Sequence, residues 1–199
     1  MLIGVFVMGI CVSVLRLTHF GTDPCSAMNY GISGITGLSF GTVQVIVALV
    51  LLGIVLIFDY GKLGLGTIGN MFVVGYTADL TTWFTSKVLG IESLEGFMTR
   101  LIVMLVFVTV FIFAVALYVN SGLGASAYDV IPYIIREKLS KALRKEIPFK
   151  AVRIGFDAFF TIVAFLLKGE VGAITLIMVL TLGPVIDYVA GLLKKVLKL

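Results

Sequence analysis

Apolar residues along this chain gather into long runs, separated by short clusters of glycine, proline and charge. The clearest run is Leu101 to Val119, apolar throughout apart from Thr109. At 1.5 Å per residue it covers roughly 30 Å, the thickness of a bilayer's hydrocarbon. Five weaker runs each carry a polar interruption. Together they predict membrane spans at about 2–19, 43–59, 64–82, 101–119, 151–168 and 171–192. Gly61, Gly64 and Gly66 punctuate the turn between the second and third, and Lys168-Gly169-Glu170 the turn between the fifth and sixth. The spans leave no stretch for a soluble domain, so residues 1–199 read as a single transmembrane domain.

The two halves of the chain resemble each other. The first, about 1–90, reads FGTDPCSAMNYGIS, SFGTVQV and GLGTIGNMFVVGYTAD; the second, about 91–199, reads LGASAYDVIPYIIREK, PFKAVRI and EVGAITLIMVLTLGPVID. Gly21 aligns with Gly124, Phe40 with Phe149, Gly66 with Gly172, Gly75 with Gly183 and Asp79 with Asp187. Each unit is a span, a short helix and two further spans. The first short helix begins well, with Asp23 as an N-cap acceptor and Pro24 at the first helical position. The second has Ser126 followed three residues later by Asp129, a capping box with Asp in place of Glu. The first ends near Gly34, too soon to cross; the second carries Arg136, Glu137, Lys138 and Lys141, costly in lipid. Both are expected to be re-entrant or interfacial. The expected fold is therefore an all-α polytopic membrane protein with six transmembrane helices, in two inverted repeats of three. If the short helices crossed, the halves would be parallel instead.

Composition supports the membrane reading. Apolar residues make up 60% and charged residues 13%, against roughly 25% charged in soluble domains. Fifteen Lys and Arg stand against eleven acids, and their distribution sets an expected orientation. With the N-terminus inside and six alternating helices, eleven of the fifteen fall on the inner side: Lys62, seven from Arg136 to Arg153, and Lys194, Lys195 and Lys198. Arg16, Lys87, Arg100 and Lys168 fall outside, an asymmetry of the kind the positive-inside rule describes. Both termini are expected in the cytoplasm. The basic segment 136–153 then lies beside anionic lipids of the inner leaflet, and without stacking aromatics it is no nucleic-acid surface. The N-terminal run lacks a basic n-region and a small-residue cleavage site, so it is read as a retained span. Ile10 before Cys11 argues against a lipoprotein anchor, and two cysteines make no disulfide framework.

Polar residues inside apolar runs are the candidate chemistry. The glycine-rich turns at Gly21, Thr22, Asp23 and Pro24, and at Gly124, Ser126, Tyr128 and Asp129, form the expected substrate site. Each precedes a helix whose free N–H groups would face the gap, and transporters built from inverted repeats bind where the repeats meet. Capping alone would also account for Asp23 and Asp129. Arg153 and Asp157 share one helix face; they are either an intrahelical pair that lets both charges exist in the span, or a gate or proton relay. Asp79 and Asp187 are either interfacial carboxylates or partners in the same relay. Gln44, Asn70 and Asn120 read as helix-to-helix hydrogen bonders, and Trp83 and Tyr60 as interfacial anchors. His19 has no Cys or His at ligand spacing, so no metal is expected. No nucleophile, metalloprotease or phosphate-loop motif is present, so neither an enzyme nor a cofactor is expected.

At these turns the sequence resembles the YczE/YyaS/YitT group of bacterial integral membrane proteins. The resemblance covers nearly the whole chain. It rests on Gly21-Thr22-Asp23-Pro24 with Gly31-Ile32-Ser33, Ser39-Phe40-Gly41-Thr42, Gly64-Leu65-Gly66-Thr67, Gly122-Leu123-Gly124-Ala125-Ser126 with Asp129, and Gly183-Pro184. Members most like YczE follow the first turn with Pro-Trp-Asp; here Cys25-Ser26 replaces Trp-Asp, while Tyr128-Asp129 keeps the second-half counterpart. The resemblance implies a permease of the bacterial plasma membrane. The expected function is a secondary transporter for a small solute or lipid-like molecule. Two other readings fit the same sequence: a substrate-capture subunit that needs an energising partner, and a non-transport factor that supports a cytoplasmic enzyme through a partner protein.

Overall fold

A computed structural model describes residues 1–58 and 63–197. The expected turn at Gly61, the Tyr60 anchor and the inner-side charges Lys62 and Lys198 lie outside the described residues. Among the described residues the chain is all helical, in eight stretches: α1 (Leu2–Thr18), α2 (Pro24–Thr36), α3 (Phe40–Phe58), α4 (65–88), α5 (Phe97–Val119), α6 (Ala127–Leu143), α7 (Phe149–Leu166) and α8 (Ala173–Leu197). Local chemistry sets the ends. Asp23 accepts from the Ser26 N–H at 3.1 Å with Pro24 at the first position, and Gly37 closes α2 in the left-handed conformation. Ser126 accepts from the Asp129 N–H at 3.2 Å to start α6. The helix expected over 64–82 runs on to Val88, because π-type turns at Asn70–Val74 and Phe84–Val88 continue it. That expected over 43–59 begins three residues earlier, at Phe40.

Three helices, Phe40–Phe58, Phe97–Val119 and Ala173–Val196, are long and apolar enough to cross a bilayer, and Leu2–Thr18 is a shorter apolar helix. Large apolar side chains cover the outside of the bundle, among them Ile3, Ile57, Phe113, Phe165 and Leu180. A soluble monomer does not tolerate so continuous an apolar exterior. The chain is an all-helical membrane protein.

The same contacts recur in both halves. α2 packs on α7, and α6 packs on α3. Gly21 (φ +97°) presses against Gly172 and Thr175, while Gly124 (φ +102°) presses against Gly64. Beside each turn, an amide at the start of a long helix donates to the carbonyl before it. Ile174 N–H donates to the Phe20 oxygen at 3.0 Å, and Gly66 N–H to the Leu123 oxygen at 2.7 Å. Thr175 and Thr67 each accept, through the hydroxyl, from the N–H three residues back, Gly172 and Gly64, at 3.2 Å. These contacts correct the sequence register: Gly172 corresponds to Gly64, not Gly66, with the same separation that relates Gly75 to Gly183 and Asp79 to Asp187. The caps also correspond, with their residues exchanged. Asp23 with Ser26 in α2 becomes Ser126 with Asp129 in α6.

α1 and α5, the first helices of the two halves, pack antiparallel. Leu94 N–H donates to Leu17 at 3.0 Å and Arg100 Nε donates to the Thr18 carbonyl. At the other end, Gly4 lies against Ala114 and Tyr118.

The close approaches set a stability test. A Cβ on Gly172 would run into the Phe20 carbonyl, whereas one on Gly53 meets nothing within 4 Å. Thermal unfolding in detergent is expected to show Gly172→Ala destabilised by about 1–3 kcal/mol. Gly53→Ala should match wild type or gain roughly 0.5–1 kcal/mol. Equal melting of the two variants would contradict the packing.

Candidate functional site

A cavity of about 80 Å³ lies between the starts of α2 and α6. One wall is apolar, built by Met8, Val12, Val74, Phe111, Val115, Leu182 and Ile186; the other is polar, built by Asp23, Cys25, Ser26, Gln44, Asn70, Ser126, Tyr128, Asp129 and Arg153. Corresponding positions of the two halves line it together. Gln44 and Arg153 each lie four residues after the phenylalanine that begins a helix, Phe40 and Phe149. Cys25 corresponds to Tyr128, Ser26 to Asp129, Met8 to Phe111, Val12 to Val115 and Val74 to Leu182. Both halves therefore supply the same stations with different chemistry.

The second half supplies a charged chain. Asp157, 1% exposed on its side chain, accepts from Arg153 Nε at 3.0 Å and from the Tyr128 hydroxyl. Arg153 Nη1 donates to Asp129 Oδ1 at 2.8 Å, and Asp129 Oδ2 accepts from Ser126 Oγ at 2.6 Å. The guanidinium carbon lies 5.2 Å from the centre of the Tyr128 ring, which packs against Phe156 and Phe160. Helix spacing puts Arg153 and Asp157 on one face, and α6 beside α7 brings Asp129 and Tyr128 to that face. The guanidinium fork suits such bridging, because it can serve two carboxylates at once.

The first half supplies neutral groups and one carboxylate. Asn29 is fully buried; its Nδ2 donates to Gln44 Oε1, and its Oδ1 has no partner among the described residues. Asp23 faces the cavity while capping α2. The π-type turn Asn70–Val74 carries both Asn70 and Val74 to the cavity lining, a widening of the kind found at functional sites.

The expected site residues divide. Asp23, Pro24, Ser126, Tyr128, Asp129 and Arg153 line the cavity, and Asp157 stands behind Arg153. Gly21, Thr22 and Gly124 do not line it; the glycines let backbones meet, and buried Thr22 donates its N–H to Glu170 at 3.1 Å. Asp79 and Asp187 do not meet. Asp79 lines a second cavity, about 430 Å³, with Arg16, Tyr30, Lys87 and Glu170, and accepts from the Gly41 N–H at 3.0 Å. Asp187 is exposed on α8. Cys25, Ser26, Gln44 and Asn70 escaped the sequence reading as site residues. For Gln44 a signal existed in its match to Arg153.

The chain belongs to DUF6198, a family of unknown function whose profile matches residues 1–191. It is similar to YyaS of Bacillus subtilis strain 168, at 26% identity over 177 residues that cover 89% of this chain and 84% of that one. It is also similar to an uncharacterized protein of Haemophilus influenzae, at 23% identity over 197 residues, 98% of this chain and 84% of the relative. The resemblance read at the glycine turns agrees with both findings. No solved structure matches the chain.

The charged chain has a measurable signature. Arg153→Met strands two carboxylates and is expected to destabilise the protein by about 3–5 kcal/mol. Adding Asp157→Leu and Asp129→Asn removes the stranded charge and should restore most of that loss in thermal unfolding. A triple variant no more stable than Arg153→Met would mean that the three groups do not act as one unit.

Proposed function

We propose that this member of DUF6198 is a six-span, inverted-repeat secondary transporter of the bacterial plasma membrane, with its solute bound in the cavity between α2 and α6. The observation that carries this reading is the construction of that cavity from corresponding stations of two halves whose first helices run antiparallel. Helices related in that way insert with opposite orientation, and a cavity they share is reachable from either side in turn. α2, with 13 residues, is roughly 20 Å long and too short to cross. The far half of α6 and the turn after it are exposed and charged, from Arg136 to Lys145, and suit an interface with anionic lipid. A cavity of about 80 Å³ favours a small solute over a lipid.

Each end of the bundle carries an aromatic pair at corresponding positions. Tyr30 and Phe40 have ring centres 4.3 Å apart and are 8% and 5% exposed; Tyr133 and Phe149 are 4.2 Å apart, with Tyr133 42% exposed. In this reading the pairs are the two gates, the first closed and the second looser. The positive-inside rule puts the looser gate, next to the basic half of α6, in the cytoplasm.

Cys25 on the cavity wall is a built-in probe. In a Cys11→Ala background, a membrane-impermeant maleimide is expected to label Cys25 from the cytoplasmic side of inverted vesicles and not from outside. Tyr30→Ala should open labelling from outside. Cys25 that stays unreactive from both sides in every variant would argue for a static cavity and against transport.

Orientation is tested separately, with both native cysteines replaced by alanine. Glu92→Cys should label from outside and Lys141→Cys should not; the reverse pattern would invert the topology.

A further inference from the structure

We propose that the solute is a small organic cation, a short alkylammonium in its simplest form, with Asp23 as its counter-charge. This rests on the transport site argued above and adds the chemical class of what occupies it.

Charge around the cavity does not balance. Arg153 is the cation that lines the cavity, and it is engaged twice, by Asp129 at 2.8 Å and by Asp157 at 3.0 Å. Asp23 lies on the other half of the wall. Its carboxylate accepts from the Ser26 N–H at 3.1 Å, and among the described residues no Lys, Arg or His nitrogen lies within 4.0 Å of it. Two carboxylates thus share the one guanidinium and Asp23 has no cationic partner among the described residues, beside an apolar wall that includes Val12, Val115 and Phe111. An uncompensated carboxylate at membrane depth is costly, and an organic cation relieves that cost where an anion would raise it.

Helix N-termini usually invite anions. Here both are taken by the chain's own carboxylates, Asp23 at the cap of α2 and Asp129 in the first turn of α6. What α2 presents to a solute is therefore negative, while at α6 the charge of Asp129 is already matched by Arg153. The apolar wall suits a short hydrocarbon body, and the volume limits it to a few carbon atoms.

Thermal shift on the full-length protein in detergent tests the class, with n-butylammonium, butyrate and 1-butanol compared at equal ionic strength. Butylammonium is expected to raise the melting temperature in a concentration-dependent manner, and the other two are not. Asp23→Asn keeps an N-cap oxygen and should abolish the butylammonium shift, while Asp187→Asn, outside the cavity, should retain it. If Asp23→Asn fails to purify, Asp23→Ser, which copies the Ser126 cap of the other half, carries the same comparison. Equal shifts from butyrate or butanol would overturn the proposal, as would an undiminished shift in the Asp23 variant. No wild-type shift at concentrations on the order of tens of millimolar, enough to report millimolar binding, would overturn it too. Binding of butylammonium without its flux into proteoliposomes would uphold this inference and remove the transport reading, leaving a capture subunit.

Discussion

A helix that stops inside a membrane protein exposes backbone groups that water cannot reach, and the fold depends on how those groups are paired. Two chain segments break between helices where the halves meet, at Gly21 and Gly124. Each is made tolerable by the start of a long helix from the opposite half, whose amide meets the carbonyl before the turn: Ile174 to Phe20, Gly66 to Leu123. The meeting requires backbones so close that Gly64 and Gly172 admit no Cβ. One constraint therefore accounts for the glycines, for the interlocking of the halves and for the site. The turns that must be buried by the other half are also the turns that place two helix starts face to face.

On this shared scaffold the halves have diverged in charge. Gln44 stands where the second half has Arg153, Ser26 where it has Asp129, and Cys25 where it has Tyr128. Concentrating the ionic groups in one half has a physical advantage. Asp157, Arg153 and Asp129 form a connected chain in which each charge is held by another, and a buried charge is tolerable only when so held. Split across the cavity, the same groups would need the solute to complete every bond. Among the described residues, Asp23 is the one carboxylate that the first half gives to the cavity.

Much of this was legible in the sequence. The cap at Asp23, the Ser126–Asp129 pair and the i, i+4 spacing of Arg153 and Asp157 are local signals, and local signals survive folding. The alignment slipped at Gly66 because a glycine-rich turn offers several glycines and only backbone contact selects among them. Asp79 and Asp187 read as partners because they match in sequence, yet matching positions of two halves need not be neighbours in space. These two lie late in α4 and α8, and Asp79 instead caps the start of α3. Arg153 reaching Asp129 was beyond any pattern, since it depends on α6 lying beside α7.

The two ends of the bundle differ more than their sequences do. Tyr30 with Phe40 and Tyr133 with Phe149 stack at nearly equal distances, but the first pair is buried and Tyr133 is not. Asp79 holds the Gly41 amide at the first end, while its counterpart Asp187 is exposed. If the halves were chemically identical, the state with these roles exchanged would have the same energy. Sequence divergence shifts that balance, and Lys150 in place of Gly41 at the corresponding helix start is one such difference. A gap of a few kcal/mol leaves the minor state populated at a few per cent or below, and a solute that binds both states without preference does not change it. Under the proposed transport reading, what a cycle would ask of this fold is then modest: two nearly equivalent closures around one cavity, not a second structure.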